Sequence, residues 1–356
     1  MPISKITATS VADNTLTTDQ FSANAIHGVR NLIINGAMEV AQRGTSFSSH
    51  TDGYTLDRMR VYRIGSQDFT VTQESDAPTG SGFNKSIKIE TNTADSSLDA
   101  GDYSIFQYNI EGQDLQQLAY GSSNAKSSTL SFWVKSNMTG NLSVTSEVNA
   151  GPPYLSGFVT INTANTWEYK TITYIGNTST SIDDDNSTGL EFQFWFSAGS
   201  VFSGGTYNNT SWNSDGTSRV NPTNQINIQG TAGNYVQVTG LQYELGSNAT
   251  PFEHRSYGDE FRRCQRYYFK SGSQWMSGQS YGTNNSSDGL IMPIYWPTTM
   301  RANPSVSFSG GSDGGSFAAL FTEYAEEEGM SVNLRSTNSS NSVWWNGFRV
   351  TADSEL

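Results

Sequence analysis

The sequence has little charge, few histidines and a single cysteine among its 356 residues, and each shortage excludes a class of protein. Cys264 has no second cysteine to pair with, so no disulfide can form within the chain. No apolar run approaches the ~18 residues of a membrane span, so we expect no membrane insertion. Met1–Arg30 has neither the basic start nor the apolar stretch of a signal peptide, which predicts folding in a cytoplasm.

Positive charge is also scarce. The chain carries 20 Lys and Arg residues against 33 Asp and Glu residues, which gives a formal net charge of -13 at pH 7. Proteins that bind nucleic acid draw much of their affinity from Lys and Arg side chains that neutralise the backbone phosphates. We therefore expect no nucleic-acid partner.

Groups that could carry catalysis are sparse. The three histidines, His27, His50 and His254, stand in no motif of a nucleophilic triad, and no His or Cys spacing indicates zinc. Two acidic runs, Asp183–Asp185 and Glu326–Glu328, place like charges side by side, as in solvated turns, whereas hydrolysis needs two carboxylates across a substrate. We expect no catalytic residue and no enzymatic activity.

What the sequence does contain is alternation. Hydrophobic residues make up 35% and aromatic residues 12%, with frequent Gly, Ser, Thr and Asn, a composition typical of short strands and tight turns. Several segments alternate apolar and polar residues, for example Leu130, Phe132 and Val134, and Leu190, Phe192, Phe194 and Phe196. The inward set changes parity at Thr239–Gly240, which predicts a β-bulge. We predict an all-β chain, with a jelly-roll β-sandwich over residues 31–255.

Three other segments complete the predicted organisation. Residues 256–270 form a helical joint, with Ser256 and Asp259 at its start and an apolar face of Tyr257, Phe261, Cys264 and Tyr268, in which Cys264 acts as a small buried hydrophobe. Residues 271–356 form a small C-terminal β domain. Residues 1–30 form an extended arm, and the alternative is a disordered tail. The arm inserts its spaced apolar residues into a partner protein; they are Ile3, Ile6, Val11, Leu16, Phe21 and Ile26.

Three stretches resemble segments of bacteriophage tail-fibre and related virion fibre proteins. They are residues 31–44 (NLIINGAMEVAQRG), residues 240–268 (GLQYELGSNATPFEHRSYGDEFRRCQRYY) and residues 348–356 (FRVTADSEL). The resemblance implies a virion protein assembled in the host cytoplasm. Its arm would attach to phage tail or capsid proteins, and the fibre would bind a receptor on the host surface. Such fibres are expected to be homotrimers.

The opening of the predicted sandwich also resembles jelly-roll carbohydrate-binding modules, which often begin Asn-Leu-x-x-Asn-Gly-x-x-Glu. The matching residues are Asn31, Leu32, Asn35, Gly36 and Glu39. The resemblance implies glycan binding and a structural Ca²⁺ held by Glu39 and an Asp of the final strand. The final strand here, Val238–Leu241, has no acid at that place. No other cofactor is expected.

Binding a sugar requires an exposed aromatic face and polar groups that hydrogen-bond to hydroxyls. Alternation places Trp133 and Trp195 on the polar faces of their strands, the latter beside Glu191 and Gln193. Further candidates are aromatic residues in loops of both β units: Tyr154, Tyr207, Trp212, Trp275, Tyr281 and Trp296. In the alternative, a second layer of the protein or a neighbouring subunit covers these rings.

These observations favour a virion fibre that adheres to a host glycan through many weak contacts. Two other functions stay open. One is a purely structural head fibre or tail decoration protein that binds no receptor. The other is a polysaccharide-degrading tailspike, which is less favoured because the chain shows no long internal repeat.

Overall fold

The computed structural model describes residues 30–272, 276–280, 290–315, 317–336 and 343–356. Twelve strands form the first part of the chain: β1 (Ser46–His50), β2 (Asp52–Tyr54), β3 (Arg60–Ile64), β4 (Asp68–Glu74), β5 (Ser86–Thr93), β6 (Tyr103–Glu111), β7 (Ser128–Ser136), β8 (Gly140–Val148), β9 (Gly151–Ile161), β10 (Glu168–Tyr174), β11 (Thr188–Ala198) and β12 (Tyr235–Leu245). Short helical turns lie at Gly112–Asp114, Gln116–Leu118, Gly216–Ser218 and Ile228–Gly230, and α1 spans Ser200–Ser203.

The twelve strands form two antiparallel sheets of six strands each. Sheet A has the order β1-β4-β5-β12-β7-β10, and sheet B has the order β2-β3-β6-β11-β8-β9. The inner faces of both sheets share one core, to which sheet A contributes Phe132 and Val134 and sheet B contributes Phe192 and Phe194. The predicted all-β jelly-roll sandwich is confirmed, and the alternating apolar residues of β7 and β11 point into its core.

The predicted bulge in β12 is also present. The pairing between β12 and β7 changes register between Thr239 and Gln242. Gly240 lies at the shift with a positive φ of +64°, and a Cβ atom there would lie 2.6 Å from Cζ of Phe83. Only glycine combines this conformation with so close a neighbour at low cost. The bulge returns Tyr243 to the inner face, where it is buried.

The second helix, α2, spans Tyr257–Gln265. It begins as predicted, because the Ser256 hydroxyl accepts a hydrogen bond from the Asp259 backbone N–H at 3.2 Å. It ends at Gln265, so the prediction of a helix to residue 270 is wrong at its C-terminal end. Tyr268 lies instead in a strand, Tyr268–Lys270, that pairs with the last strand of the chain.

The apolar face of α2 is shorter than the sequence indicates. Cys264 is buried against Ile34 and Val40 of the sandwich opening, which confirms its interpretation as a small buried hydrophobe. Phe261 packs against the same cluster. Tyr257 is 61% exposed, so its assignment to the buried face is wrong. The helix therefore packs on the sandwich through its last turns and leaves its start in solvent.

The remaining strands are β13 (Tyr268–Lys270), β14 (Met276–Ser280), β15 (Leu290–Tyr295), β16 (Ser305–Ser309), β17 (Ser312–Gly315), β18 (Phe317–Glu326), β19 (Gly329–Ser336) and β20 (Val343–Asp353). One sheet gathers β13, β14, β16 and β17 around β20, and the other has the order β15-β19-β18. Their shared core includes Trp296, Met300, Val332 and Val350.

The last residues of the chain lie against sheet B. The Glu355 carboxylate pairs with the guanidinium groups of Arg43 and Arg58, and Arg58 is itself fully buried. The Leu356 carbonyl accepts hydrogen bonds from the Tyr54 hydroxyl at 2.6 Å and from the Asn109 side-chain amide at 3.4 Å. The last residues therefore lie beside the outer face of sheet B, near the C-terminal end of β6.

Two further predictions concern the N-terminal arm and membrane insertion. The apolar residues of the arm, Ile3, Ile6, Val11, Leu16, Phe21 and Ile26, lie outside the described residues. Within the described ranges no helix is both long and apolar enough to cross a bilayer.

Candidate functional site

The outer face of sheet B carries a group of polar side chains that are almost completely buried. We call this group the acid–amide face; its members, each at most 8% exposed, are Gln107, Asn109, Glu147, Tyr154, Glu191 and Gln193. They come from four neighbouring strands, β6, β11, β8 and β9. Alternation within β11 predicts that Glu191 and Gln193 face away from the core, and their neighbours Phe192 and Phe194 do lie in the core.

Strand register builds the acid–amide face as two cross-strand rows. In one row, Glu191 lies opposite Asn109 on β6 and opposite Glu147 on β8. Glu147 in turn lies opposite Tyr154 on β9. In the adjacent row, Gln193 lies opposite Gln107. Residues directly opposite on one sheet face have their Cβ atoms about 4.5–5.5 Å apart, so all these groups are close neighbours.

The side chains of this face bond to one another and to groups at its margins, among them Arg60, which donates to Gln107 Oε1 at 3.4 Å. The Gln193 amide donates to Glu191 Oε1 at 2.5 Å, and the Gln107 amide donates to Asn109 Oδ1 at 3.2 Å. Glu147 forms an ion pair with Arg219 at 3.1 Å. The Arg219 guanidinium carbon is also 3.7 Å from the centre of the Tyr154 ring. Arg219 therefore forms an edge of the face and neutralises part of its negative charge.

Some hydrogen-bonding capacity on this face is left unused. Among the described residues, the Oε1 atoms of Gln193 and Glu147 are buried and have no hydrogen-bond partner, although Glu147 Oε1 lies 3.1 Å from an Arg219 nitrogen. A buried polar atom without a partner costs about 1–3 kcal/mol. A ligand that donated a hydrogen bond to Gln193 Oε1 would recover that free energy.

Burial changes the titration of both carboxyls. Burial raises the pKa of Glu147 to about 8, despite the opposing effect of Arg219, and the nearby Glu191 raises it further. Burial also raises the pKa of Glu191, while its hydrogen bond from Gln193 acts against the shift. The raised pKa means that Glu147 takes up a proton at a higher pH than an exposed glutamate does, and in that form it can donate a hydrogen bond as well as accept one.

Trp195 corrects a sequence prediction. It lies on the outer face of β11 as expected, but it is only 1% exposed and cannot offer its ring to a sugar. Phe202 and Val220, from the segment between β11 and β12, cover it. Its indole N–H donates to the Thr145 hydroxyl at 3.0 Å. The alternative of a second layer is the correct one: Trp195 anchors the segment that carries Arg219.

The remaining predicted aromatics within the sandwich have different surroundings. Tyr154 is buried at the margin of the acid–amide face, next to Arg219. Tyr207 is half-buried, with its ring centre 5.9 Å from that of Phe158, which is 37% exposed. Trp212 is half-buried and caps the core, and its indole N–H donates to the Ile175 carbonyl at 2.9 Å. Of these three, Tyr154 alone is linked to Glu191 by strand register, through Glu147.

The other predicted ring positions are separate from this face. Trp133 is half-buried on the outer face of sheet A, on the opposite side of the sandwich. Trp296 is 6% exposed in the C-terminal core and donates to the Glu326 carbonyl at 2.9 Å, so its prediction as an exposed loop aromatic is wrong. Trp275 and Tyr281 lie outside the residues whose side chains are described.

Sequence reasoning missed Glu147 and Arg219. Ser143, Thr145 and Glu147 alternate with buried Leu142 and Val144 in β8, so the alternation rule applied to this strand places Glu147 on the outer face. For Arg219 no such signal exists, because it lies in an irregular segment next to a short helical turn.

The predicted calcium ligand Glu39 lies in a different place. It lines a cavity of about 260 Å³ together with Glu253 and Glu260. Those two carboxylates already accept backbone N–H groups, of Asn31 at 2.8 Å and of Asn35 respectively. In the part of the chain that is described, no group of three His, Cys, Asp or Glu residues is arranged to hold a metal. The side chains around Glu39 thus do not form an acidic ligand set, and Ca²⁺ stays a prediction from resemblance.

Solved structures similar to this chain include a phage tailspike domain and carbohydrate-binding modules. The enzymatically active domain of tailspike protein 4 of bacteriophage CBA120 aligns with 60% of this chain at 15% identity and a TM-score of 0.33, and the alignment covers 21% of the tailspike chain. A family 11 carbohydrate-binding module of Clostridium thermocellum, in complex with a mixed-linked tetrasaccharide, aligns with 59% of this chain and 97% of its own at 12% identity and a TM-score of 0.28.

The xylan-binding module CBM22-1 of Paenibacillus barcinonensis aligns with 63% of this chain and 100% of its own at 11% identity and a TM-score of 0.28. No protein-family model and no curated protein matches the sequence. At these identities and TM-scores no residue role passes from the solved structures to this chain, and the site stands on its own geometry.

Proposed function

We propose that the chain is a glycan-binding protein of a bacteriophage virion fibre, and that the acid–amide face binds a neutral sugar of the host surface. One observation carries the binding proposal. The buried Oε1 atom of Gln193 has no hydrogen-bond partner among the described residues, and an unpaired buried acceptor is costly unless a ligand donates to it. Because that atom has no exposed surface, a sugar hydroxyl reaches it only when the Gln193 side chain turns outward, and the hydroxyl then supplies the missing donor.

The chemistry of the face selects the kind of sugar. Glu147 and Glu191 lie side by side, and any ionised carboxyl there repels an acidic sugar. The side-chain amides of Gln107 and Asn109 add donors for hydroxyl oxygens. Arg219 already pairs with Glu147 and contacts Tyr154, so it is not free to recruit an anion. A neutral sugar with several hydroxyl groups satisfies these groups best.

Aromatic side chains lie at the edges of the same sheet. Phe158, which is exposed, and Tyr207, which is half-buried, form a pair on the β9 side, and Tyr62 is half-buried on the β3 side. Aromatic rings at the margin of a polar face give the apolar side of a pyranose a surface to contact. The combination supports binding of an extended glycan across the strands.

Electrophoresis through gels that contain neutral polysaccharides tests this proposal. A soluble glucan, galactan or mannan slows the migration of a binding protein, and its concentration dependence gives the affinity. We expect Gln193→Ala to weaken binding about 10-fold, equivalent to the loss of ~1.4 kcal/mol of hydrogen bonding. Gln237→Ala is the matched control, because Gln237 is an equally buried outer-face glutamine of sheet A. Equal affinity of wild type and Gln193→Ala would contradict the proposal.

The fibre role is supported by the three stretches that resemble virion fibre proteins, at residues 31–44, 240–268 and 348–356. In this proposal residues 1–30 attach to the tail or capsid, and the protein is a homotrimer. Light scattering of the full chain should then give the mass of three chains. The mass of one chain would instead favour a decoration protein that assembles only on the particle.

The proposal also includes binding without cleavage. Incubation of the protein with each polysaccharide should release no new reducing ends, as expected of an adhesin. Release that Glu147→Gln abolished would instead identify a polysaccharide-degrading enzyme with the adjacent carboxyls as its acidic groups.

A further inference from the structure

The outer face of sheet A carries an exposed group of aromatic side chains that the acid–amide face does not involve. We call this group the aromatic platform. It consists of Trp133 on β7 and of Trp167 and Tyr169 at the start of β10, with Lys135 and Asp76 beside them. Tyr169 is 45% exposed, and Trp133 and Trp167 are half-buried. Large aromatic side chains grouped on a surface are characteristic of binding sites.

Strand register holds two of these rings together. Trp133 lies directly opposite Tyr169 in the pairing of β7 with β10. Their ring centres are 5.4 Å apart, and the ring planes make an angle of 51°. The two rings therefore form an angled surface about as wide as a single sugar ring.

The bulge in β12 fixes the position of Trp133. A Cβ atom on Gly240 would lie 3.2 Å from Cδ1 of Trp133 and 2.6 Å from Cζ of Phe83. The absence of a side chain at Gly240 thus lets the Trp133 ring pack against the backbone of the bulge. A ring held in one place by the sheet loses little conformational entropy when a ligand binds.

Lys135 and Asp76, beside the platform, are already paired. Lys135 forms an ion pair with Asp76, and the Trp167 indole N–H donates to the same carboxylate at 3.2 Å. The Lys135 ammonium is 5.6 Å from the centre of the Trp167 ring. Because this cation and this anion neutralise each other, neither is free to bind an ionic ligand, and the only other charge that acts on Tyr169 among the described residues is the carboxylate of Glu244. Its chemistry fits a ligand with an apolar ring face and hydroxyl edges.

We propose that the aromatic platform is a second sugar-binding site, which stacks a neutral hexopyranose on Trp133 and Tyr169. The ligand class rests on the proposed function, whereas the site itself rests on the rings of sheet A. Sheets A and B share one core, so their outer faces point in opposite directions. One short glycan cannot occupy both sites. A single chain therefore binds two glycans, one on each side of the sandwich.

Isothermal titration calorimetry with a panel of neutral gluco-, galacto- and manno-oligosaccharides of about six sugars tests this inference. The wild-type chain should bind two molecules of the recognised sugar. In the double variant Trp133→Ala/Tyr169→Ala, the affinity of the platform for sugar should fall by about 10-fold or more. The affinity of the acid–amide face should not change. Thr171→Ala/Thr173→Ala, which alters exposed residues of the same strand β10, is the matched control.

The outcomes separate this inference from the proposed function. One sugar per chain, weakened by Gln193→Ala and not by the platform variant, would overturn the second site and leave the acid–amide site in place. One sugar per chain with the opposite pattern would support the platform and overturn the acid–amide site. No heat with any sugar of the panel would overturn both. A platform variant that changed the mass of the protein in light scattering, with sugar binding intact, would identify the platform as a subunit interface.

Discussion

The outer faces of the two sheets each carry a tryptophan among polar residues, and the two tryptophans have different environments. Trp195 on sheet B is buried beneath Phe202 and Val220, whereas Trp133 on sheet A is partly exposed beside Tyr169. The sequence patterns around them are alike, since each tryptophan alternates with core residues. Alternation thus determines which face a side chain occupies, and a distant segment determines whether that face is covered.

The largest expected effect comes from the chain end that borders the acid–amide face. Glu355→Ala leaves the fully buried Arg58 without its carboxylate, so we expect a loss of about 3–5 kcal/mol in the free energy of unfolding. Urea denaturation measures it. Glu90→Ala is the control on sheet A, because Glu90 and its partner Lys88 are partly exposed, and it should cost less than about 1 kcal/mol. Similar losses in both variants would contradict the assignment of Glu355 to a buried ion pair.

The two tryptophans provide the most direct test of the comparison. Trp195→Ala should destabilise the protein by about 3–5 kcal/mol, because it opens a cavity beneath the covering segment and leaves the Thr145 hydroxyl without a donor. Trp133→Ala should cost much less, because its ring is partly in solvent. Thermal melts of both variants measure the difference, and equal shifts in Tm would show that the two faces are covered to the same extent.

The bulge beneath the aromatic platform can be tested through Gly240. Gly240→Ala adds a Cβ atom to a residue with positive φ and brings it too close to Phe83. We expect a loss of about 1–3 kcal/mol in the free energy of unfolding. We also expect the Trp133 ring to move. A shift in the fluorescence emission of Trp133, with the emission of the other tryptophans unchanged, would report this movement. Gly233→Ala is a control in open space at a similar positive φ, and it isolates the backbone contribution.

The acid–amide face should give the protein a distinctive pH dependence. Because the folded-state pKa of Glu147 is raised to about 8, the folded protein holds a proton that the unfolded chain releases near pH 4.5. Stability from this proton is complete below about pH 4.5 and is lost as pH rises towards 8. Glu147→Gln should remove that loss, which is on the order of a few kcal/mol.

Urea denaturation at pH 5, 7 and 8.5 measures this effect. The difference in the free energy of unfolding between wild type and Glu147→Gln should change steadily in favour of the variant as pH rises. Glu74→Gln, at the end of β4 in sheet A, controls for the general loss of a carboxyl. Parallel pH profiles of wild type and Glu147→Gln would mean that Glu147 is ionised in the folded protein.

Much of the fold could be predicted from local sequence signals. Strands with one apolar face, such as β7 and β11, follow from the period of two, and the bulge at Gly240 follows from the change in parity. The start of α2 follows from the capping pattern at Ser256. The end of α2 could not be predicted from these signals. Tyr268 pairs with β20, and this tertiary contact outweighs the local helix propensity.

The site was predictable only in part, for a related reason. The outward direction of Glu191 and Gln193 could be predicted, because the sheet face on which a side chain lies depends only on its position in the strand. The cover on Trp195 and the position of Arg219 depend on how an irregular segment crosses the sheet. Such contacts join residues far apart in the sequence and leave no periodic signal.

Nuclear magnetic resonance would test the central claim most directly. Titration of the isotope-labelled protein with the neutral oligosaccharide that it recognises should shift the side-chain amide signal of Gln193 and the backbone signals of Glu191 and Glu147. The account predicts these shifts at the acid–amide face at saturating sugar. If the three residues kept their signals while residues elsewhere shifted, the acid–amide face would not be a glycan-binding site.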